Sequence, residues 1–171
     1  MDVREMLERL CRAPGPPGLE QAAADEAAAL LEPFVDEITG DRRGNVIGVR
    51  RCGRKGAKRV LLDAHLDEIG FVITGISQGF LRFQTVGGVD PRMLPSSEVT
   101  VLTDPPLHGV VACLPPHVLT KAEMDKAFSM DKLYIDVGLS QEAAEERIPI
   151  GPRAVFSGEV LSLGERQLSG K

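Results

Sequence analysis

VLLDAHLDEIG, residues 60–70, is the stretch of sequence that determines which fold is expected. Its apolar start, Val60 to Ala64, lies between turn-forming residues, which is typical of a strand buried on both faces in the centre of a parallel sheet. His65 would then lie at the carboxyl end of that strand, where open α/β sheets bind their ligands. The sequence therefore predicts an α/β domain with a functional edge at His65.

His65 and Asp67 are the residues of this stretch with the clearest chemistry. In an extended chain, residues two apart point to the same side, about 7 Å apart at the backbone. A carboxylate that accepts the second N–H of an imidazole fixes its tautomer and raises its basicity as a metal ligand. The spacing therefore suits a metal ligand, His65, oriented by Asp67. It equally suits a histidine that is hydrogen-bonded at a strand end for structural reasons alone.

The residues before this stretch predict two helices and a hairpin. Apolar side chains at positions 3, 6, 7 and 10 share one face of an opening helix, which the Pro/Gly-rich loop 14–18 ends. A second, alanine-rich helix begins near Leu19 or Glu20 and ends at Pro33. Two short β-rich runs, Val35 to Thr39 and Val46 to Val49, flank a Gly-Asn turn and predict a hairpin.

After Gly70 the sequence changes to short β-rich runs separated by Gly- and Pro-containing turns, which predicts a small barrel. One helix is expected from Ser140 to Arg147, and a mobile loop from Thr120 to Asp131. We therefore expect the α/β domain over residues 1–69, an inserted barrel over 70–160 and a return to the first domain over 161–171. The runs are Phe71 to Ile76, Phe80 to Val86, Glu98 to Leu102, Gly109 to Leu114, Leu133 to Val137, Ala154 to Phe156 and Val160 to Leu163.

Composition excludes several classes of protein. The chain has 171 residues, 43% hydrophobic and 26% charged, with a net charge of −5, which is ordinary for a folded globular domain. The acidic balance argues against a nucleic-acid partner, and the absence of a long apolar run argues against a membrane role. Three scattered cysteines and an N-terminus without a signal-like apolar core lead us to expect a cytoplasmic protein.

The stretch AHLDEIGF resembles the signature of the tetrahedral aminopeptidase family, also called glutamyl or deblocking aminopeptidases. Further matches follow in the same order along nearly the whole chain. They are PGPPGLE at 14–20, DRRGNVI at 41–47, FLRFQTVGGVDP at 80–91, LPPH at 114–117, YIDVG at 134–138 and the final Ser169-Gly170-Lys171.

This resemblance implies a metal-dependent aminopeptidase that removes N-terminal residues from short peptides. It implies that His65 is the first ligand of a site with two divalent metal ions, zinc or cobalt, and that Asp67 is the catalytic residue that orients the site. The barrel would be a PDZ-like dimerisation domain inserted into an incomplete three-layer catalytic domain, with dimers assembling into a dodecamer. The family's other ligands lie beyond the position of Lys171, so we expect this fragment to be inactive alone.

Other interpretations remain open at this point. A non-catalytic oligomerisation or binding module derived from such an enzyme would retain the barrel without the chemistry. A glycoside hydrolase needs two opposed carboxylates, and no spacing in this chain identifies such a pair. His108 and His117 are expected to be surface loop residues, and Glu68 is a weak candidate for a general base.

Overall fold

A computed structural model describes residues 2–118, 120 and 129–170 of the chain. It divides into two compact units, Met1–Glu68 with Glu159–Lys171 as the first and Ile69–Gly158 as the second. The loop predicted from Thr120 to Asp131 falls mainly outside the described residues. In the described part of the chain, no helix combines the length and the apolar character that crossing a bilayer would require.

The first unit opens with two helices, α1 (Val3–Arg12) and α2 (Gln21–Leu31). Both were predicted, and α2 passes into a short 3-10 turn at Glu32–Phe34. Four residues of α2 are buried, and the small side chains of three of them allow close packing: Ala23, Ala24, Ala27 and Leu30. By contrast, none of the residues of α1 is buried. The apolar face of α1 was predicted correctly from its spacing, but the described residues do not cover it.

Two antiparallel hairpins complete the regular structure of the first unit. Strands β1 (Glu37–Gly40) and β2 (Val46–Val49) form the predicted hairpin. The Asp41 carboxylate stabilises its turn by accepting hydrogen bonds from Arg43 and Asn45. Strands β9 (Leu161–Leu163) and β10 (Gln167–Ser169) form the second hairpin. The run from Val160 to Leu163 was grouped with the barrel strands by its turn spacing. It pairs with β10 instead, because the nearby Gly164 lets the chain turn back on itself, with φ at +65°.

The predicted central strand from Val60 to Ala64 is absent. The structure assigns no regular element there, and Val60, Leu61 and Leu62 are 81%, 86% and 91% exposed. A buried parallel strand needs hydrogen-bonding strands on its flanks and helices over both faces. The sheets described in the first unit are two-stranded antiparallel hairpins, which provide neither. The prediction was therefore wrong for this chain, although its apolar pattern is unmistakable.

The second unit is a closed antiparallel barrel of six strands, with neighbours in the order β3-β4-β7-β6-β5-β8 and β8 returning to β3. A predicted helix, α3 (Gln141–Arg147), begins at Ser140, whose hydroxyl accepts the N–H of Ala143 at 3.2 Å. The barrel strands are β3 (Gly70–Ser77), β4 (Phe80–Val86), β5 (Glu98–Val101), β6 (Leu107–Ala112), β7 (Tyr134–Asp136) and β8 (Arg153–Phe156).

The barrel encloses its own hydrophobic core. Leu81 and Phe83 of β4 point inward and alternate with exposed neighbours, as a strand with one buried face requires. The ring of Phe71 packs edge-on against Phe83 and Phe156, with centroid distances of 5.2 Å and 5.0 Å. Side chains from all six strands and from α3 contribute to this cluster. The second unit therefore carries a complete core of its own.

Candidate functional site

The candidate site lies in the irregular segment 65–68 of the first unit. The Nδ1 atom of His65 lies 2.9 Å from the backbone carbonyl oxygen of Asp67 and 3.0 Å from its carboxylate Oδ1. The structure therefore brings together the two residues that the sequence singled out. They meet through local bonds, whereas the prediction placed them at the end of a buried strand.

These two contacts determine which nitrogen of His65 carries the proton when the ring is neutral. A carbonyl oxygen and an ionised carboxylate can only accept hydrogen bonds, so Nδ1 must donate. The lone pair of the neutral ring is then on Nε2. The His65 side chain is 84% exposed and that of Asp67 is 49% exposed. Because the ring is exposed, the lone pair on Nε2 is available to an electrophile such as a divalent cation.

Glu68 and the Pro/Gly-rich loop hold this segment in place. The backbone N–H of Gly15 donates to the Glu68 carboxylate at 2.9 Å, and the backbone N–H of Glu68 donates to the carbonyl of Gly15 at 2.9 Å. The same loop is closed by Glu20, whose carboxylate accepts the N–H of Gly18 at 2.7 Å. Glu68, the weak candidate for a general base, therefore has a carboxylate oxygen engaged with the backbone.

Sequence reasoning did not find the contact between Gly15 and Glu68, which are 53 residues apart. No periodicity links such distant positions. The one signal available was the density of proline and glycine from Pro14 to Gly18, which indicates a stiff loop but not what it packs against. A Cβ atom at Gly15 would lie 2.9 Å from the Cβ of Ala23 and 3.3 Å from the carbonyl oxygen of Leu66.

The other two histidines do not join the site. His108 belongs to β6, where its Nε2 lies 3.9 Å from a carboxylate oxygen of Glu98, and both side chains are exposed. His117 is exposed in a 3-10 turn at Pro116–Val118. Across residues 2–118, 120 and 129–170, no group of three or more His, Cys, Asp or Glu side chains could hold a metal ion.

Nε2 of His65 could thus occupy one coordination position of a metal site. A divalent ion such as Zn²⁺ binds neutral imidazole nitrogen, and a carboxylate on the opposite ring nitrogen is the usual partner of such a ligand. His65 and Asp67 meet both requirements. A stable site needs three or four protein ligands, so the described residues do not complete it.

Clear pKa shifts occur at carboxyl groups in turns. Hydrogen bonds from the side-chain amide of Asn45, and then from the backbone of Arg43 and Asn45, lower the pKa of Asp41. Hydrogen bonds from the side chain and backbone of Arg92 lower the pKa of Asp90 to about 2. These carboxylates stabilise turns, and we assign them no part in the candidate site.

Residues 44–171 match the M42 glutamyl aminopeptidase family. The lysyl aminopeptidase of Pyrococcus furiosus is 30% identical over 171 residues, which cover 96% of this chain and 49% of that protein. The chain spans about half the length of the curated relatives it matches.

Solved structures agree with this match. A TET aminopeptidase from the marine sediment archaeon Thaumarchaeota archaeon SCGC AB-539-E09 superimposes with a TM-score of 0.86 at 32% identity, covering 94% of this chain and 45% of that chain. The TET1 peptidase of Pyrococcus horikoshii superimposes with a TM-score of 0.78 at 33% identity, covering 95% of this chain and 49% of that chain. The latter can assemble into a tetrahedron or a large octahedral shell.

Proposed function

Because this chain belongs to the M42 glutamyl aminopeptidase family, we propose that it is the N-terminal part of a metal-dependent aminopeptidase that removes N-terminal residues from short peptides. One observation carries the metal part of this proposal. Asp67 holds Nδ1 of His65 and leaves Nε2 as an outward-facing donor. The family supplies the reaction class, and this pair supplies the residues that would take part.

In this proposal His65 provides one ligand of a site with two divalent ions, zinc or cobalt, and Asp67 keeps the ring in the ligating tautomer. When bound, such ions polarise a peptide carbonyl and lower the pKa of water. His65 contributes the lone pair on Nε2. Asp67 accepts the N–H on the opposite side of the ring, which restricts its rotation and fixes the tautomer.

We propose further that this chain does not hydrolyse peptides alone. The described residues offer one well-oriented histidine, which cannot hold two ions. Val60, Leu61 and Leu62 also remain exposed beside the site, and contiguous apolar surface of this kind marks a place where other protein packs. The other metal ligands would come from the part of the aminopeptidase fold that residues 1–171 do not form. The same part would pack over the exposed apolar side chains.

The barrel would serve assembly, as a PDZ-like dimerisation domain whose dimers build a dodecamer. Its core consists of residues of the second unit alone. The assembly of the TET1 relative into closed shells supports this role. We place the protein in the cytoplasm, because its three cysteines, Cys11, Cys52 and Cys113, are free, as reducing compartments keep them.

A chimera tests the proposal. Residues 1–171 are joined to the C-terminal half of the Pyrococcus furiosus lysyl aminopeptidase, which this chain does not cover, and hydrolysis of aminoacyl anilides is measured with zinc or cobalt. We expect activity that falls at least roughly 100-fold in the His65→Ala variant and about 10- to 100-fold in Asp67→Asn. His117→Ala is the matched control, since His117 is exposed and distant in sequence, and it should leave the activity unchanged.

The unfused chain provides the second measurement. We expect less than stoichiometric zinc or cobalt after dialysis and no turnover. Tight stoichiometric metal with hydrolysis by residues 1–171 alone would contradict the claim that its site is incomplete. Activity of the chimera that survives His65→Ala would contradict the metal role of His65.

The second candidate is a non-catalytic oligomerisation or binding module. The self-contained core of the barrel favours it, because that unit can fold and associate without a catalytic site. A chimera that folds and forms dimers in light scattering, yet binds no metal and hydrolyses no anilide, would select this alternative over the enzyme.

A further inference from the structure

We propose that Glu68 is a positioning residue, which fixes the orientation of His65 by holding both backbone polar groups of Gly15. The inference rests on the proposed role of His65 as a metal ligand. It assigns Glu68 a part in the site other than that of a general base.

The first step is the pair of hydrogen bonds between Glu68 and Gly15. The Gly15 N–H donates to Oε1 of Glu68 at 2.9 Å, and the Glu68 N–H donates to the Gly15 carbonyl at 2.9 Å. A bond to an ionised carboxylate is about twice as strong as one between neutral groups. Glu68 thus binds Gly15 through both its side chain and its backbone.

The second step is that the same peptide unit reaches both Gly15 and His65. The carbonyl of Asp67 accepts the Nδ1–H of His65 at 2.9 Å, and the N–H of Glu68 in that peptide bond donates to Gly15. A trans peptide is planar, so its C=O and N–H point in opposite directions and rotate together. Anchoring the N–H on Gly15 therefore aims the carbonyl at the imidazole ring.

The third step is that Gly15 packs against a helix. A Cβ atom at Gly15 would meet the Cβ of Ala23 at 2.9 Å, so the loop lies directly against α2. Ala23 is one of the buried residues of that helix. Glu68 therefore ties the segment 65–68 to a packed helix, although the segment itself belongs to neither helix nor strand.

The experiment uses residues 1–171 labelled with ¹⁵N and the variants Glu68→Ala and Glu68→Gln. Amide hydrogen exchange reports the bond at Gly15, and long-range ¹H–¹⁵N spectra report the tautomer of His65. Glu5→Ala is the matched control, a glutamate exposed on α1. Signals of Ala27, buried in α2, show that the first unit of each variant is folded.

We expect exchange at Gly15 to accelerate roughly tenfold in Glu68→Ala, because the acceptor is lost. In Glu68→Gln the acceleration should be smaller, since a neutral oxygen still accepts. The fraction of His65 protonated at Nδ1 should fall in the same order, and Glu5→Ala should match the wild type. A purely structural role of Glu68 would change exchange without changing the His65 tautomer. That result, or wild-type behaviour in both variants, would overturn the proposal.

Cobalt(II) added to the wild-type chain separates this inference from the proposed function. Broadening of the His65 ring signals supports the metal role, and the broadening should weaken several-fold in Glu68→Ala. If excess Co²⁺ leaves His65 unaffected in the wild type, His65 lacks even weak affinity for a divalent ion, and its metal role fails. The exchange and tautomer results then still decide whether Glu68 positions the ring.

Discussion

Replacing Gly79 by alanine should destabilise the barrel strongly. Gly79 follows Gln78 in the two-residue turn between β3 and β4, and both have positive φ, +85° and +56°. This is the turn geometry that matches the twist of a two-residue hairpin. A Cβ at position 79 would also lie only 2.2 Å from the carbonyl oxygen of Leu139. The substitution thus combines backbone strain with a clash against backbone.

The two costs are estimated separately. An L residue in the left-handed region costs about 1–2 kcal/mol. An ordinary contact between carbon and a carbonyl oxygen is about 3.3–3.6 Å, so the chain near Leu139 must move by roughly 1 Å. Overpacking of this kind costs about 1–3 kcal/mol. We therefore expect Gly79→Ala to lower the free energy of unfolding by about 2–5 kcal/mol.

Gly138→Ala is the matched control. Gly138 also has positive φ, +68°, but no atom lies within 4 Å of its added Cβ. It isolates the backbone strain, about 1–2 kcal/mol. Urea unfolding followed by tyrosine fluorescence measures both variants. Tyr134 is the only tyrosine, the chain has no tryptophan, and Tyr134 lies in β7, so the signal reports the barrel. Equal losses of stability, within about 0.5 kcal/mol, would refute the clash.

Three further predictions concern the same unit. Arg92→Ala should raise the pKa of Asp90 from about 2 toward 3.8. Because the folded-state pKa is depressed, this carboxylate stabilises the fold above 3.8, and the contribution is lost as pH falls toward about 2. Carboxyl ¹³C shifts measure the change, and an unmoved pKa would contradict it. Ser140→Ala removes the helix cap to Ala143 and should cost about 1 kcal/mol in urea unfolding, whereas an unchanged midpoint would argue against the cap. Ile135→Ala, at a fully buried position, should cost about 2–5 kcal/mol, and a loss below 1 kcal/mol would show a core that collapses around the cavity.

The sequence predicted features that depend on residues close together in the chain, and it missed contacts between residues that are far apart in the chain. Helix α2, the hairpin of β1 and β2 and the strand β4 depend on residues close together in sequence, and the structure contains them as predicted. The contact between His65 and Asp67 is equally local. The bonds between Gly15 and Glu68 join distant positions. Their formation depends on how the chain folds back, which no local pattern encodes.

In the segment from Val60 to Leu62 the apolar run is real, but the buried strand that it predicts is absent from the structure. Its apolar side chains would each gain roughly 1.5–3 kcal/mol on burial, yet they are at least 81% exposed. A strand is stabilised by its neighbours, so this run predicts burial on both faces but cannot supply the flanking strands itself. The ring of His65 is nevertheless oriented, because the hydrogen bonds that its Nδ1–H donates to Asp67 and the anchor of Glu68 on Gly15 do not require the sheet. The geometry that we propose for metal binding therefore does not depend on that sheet.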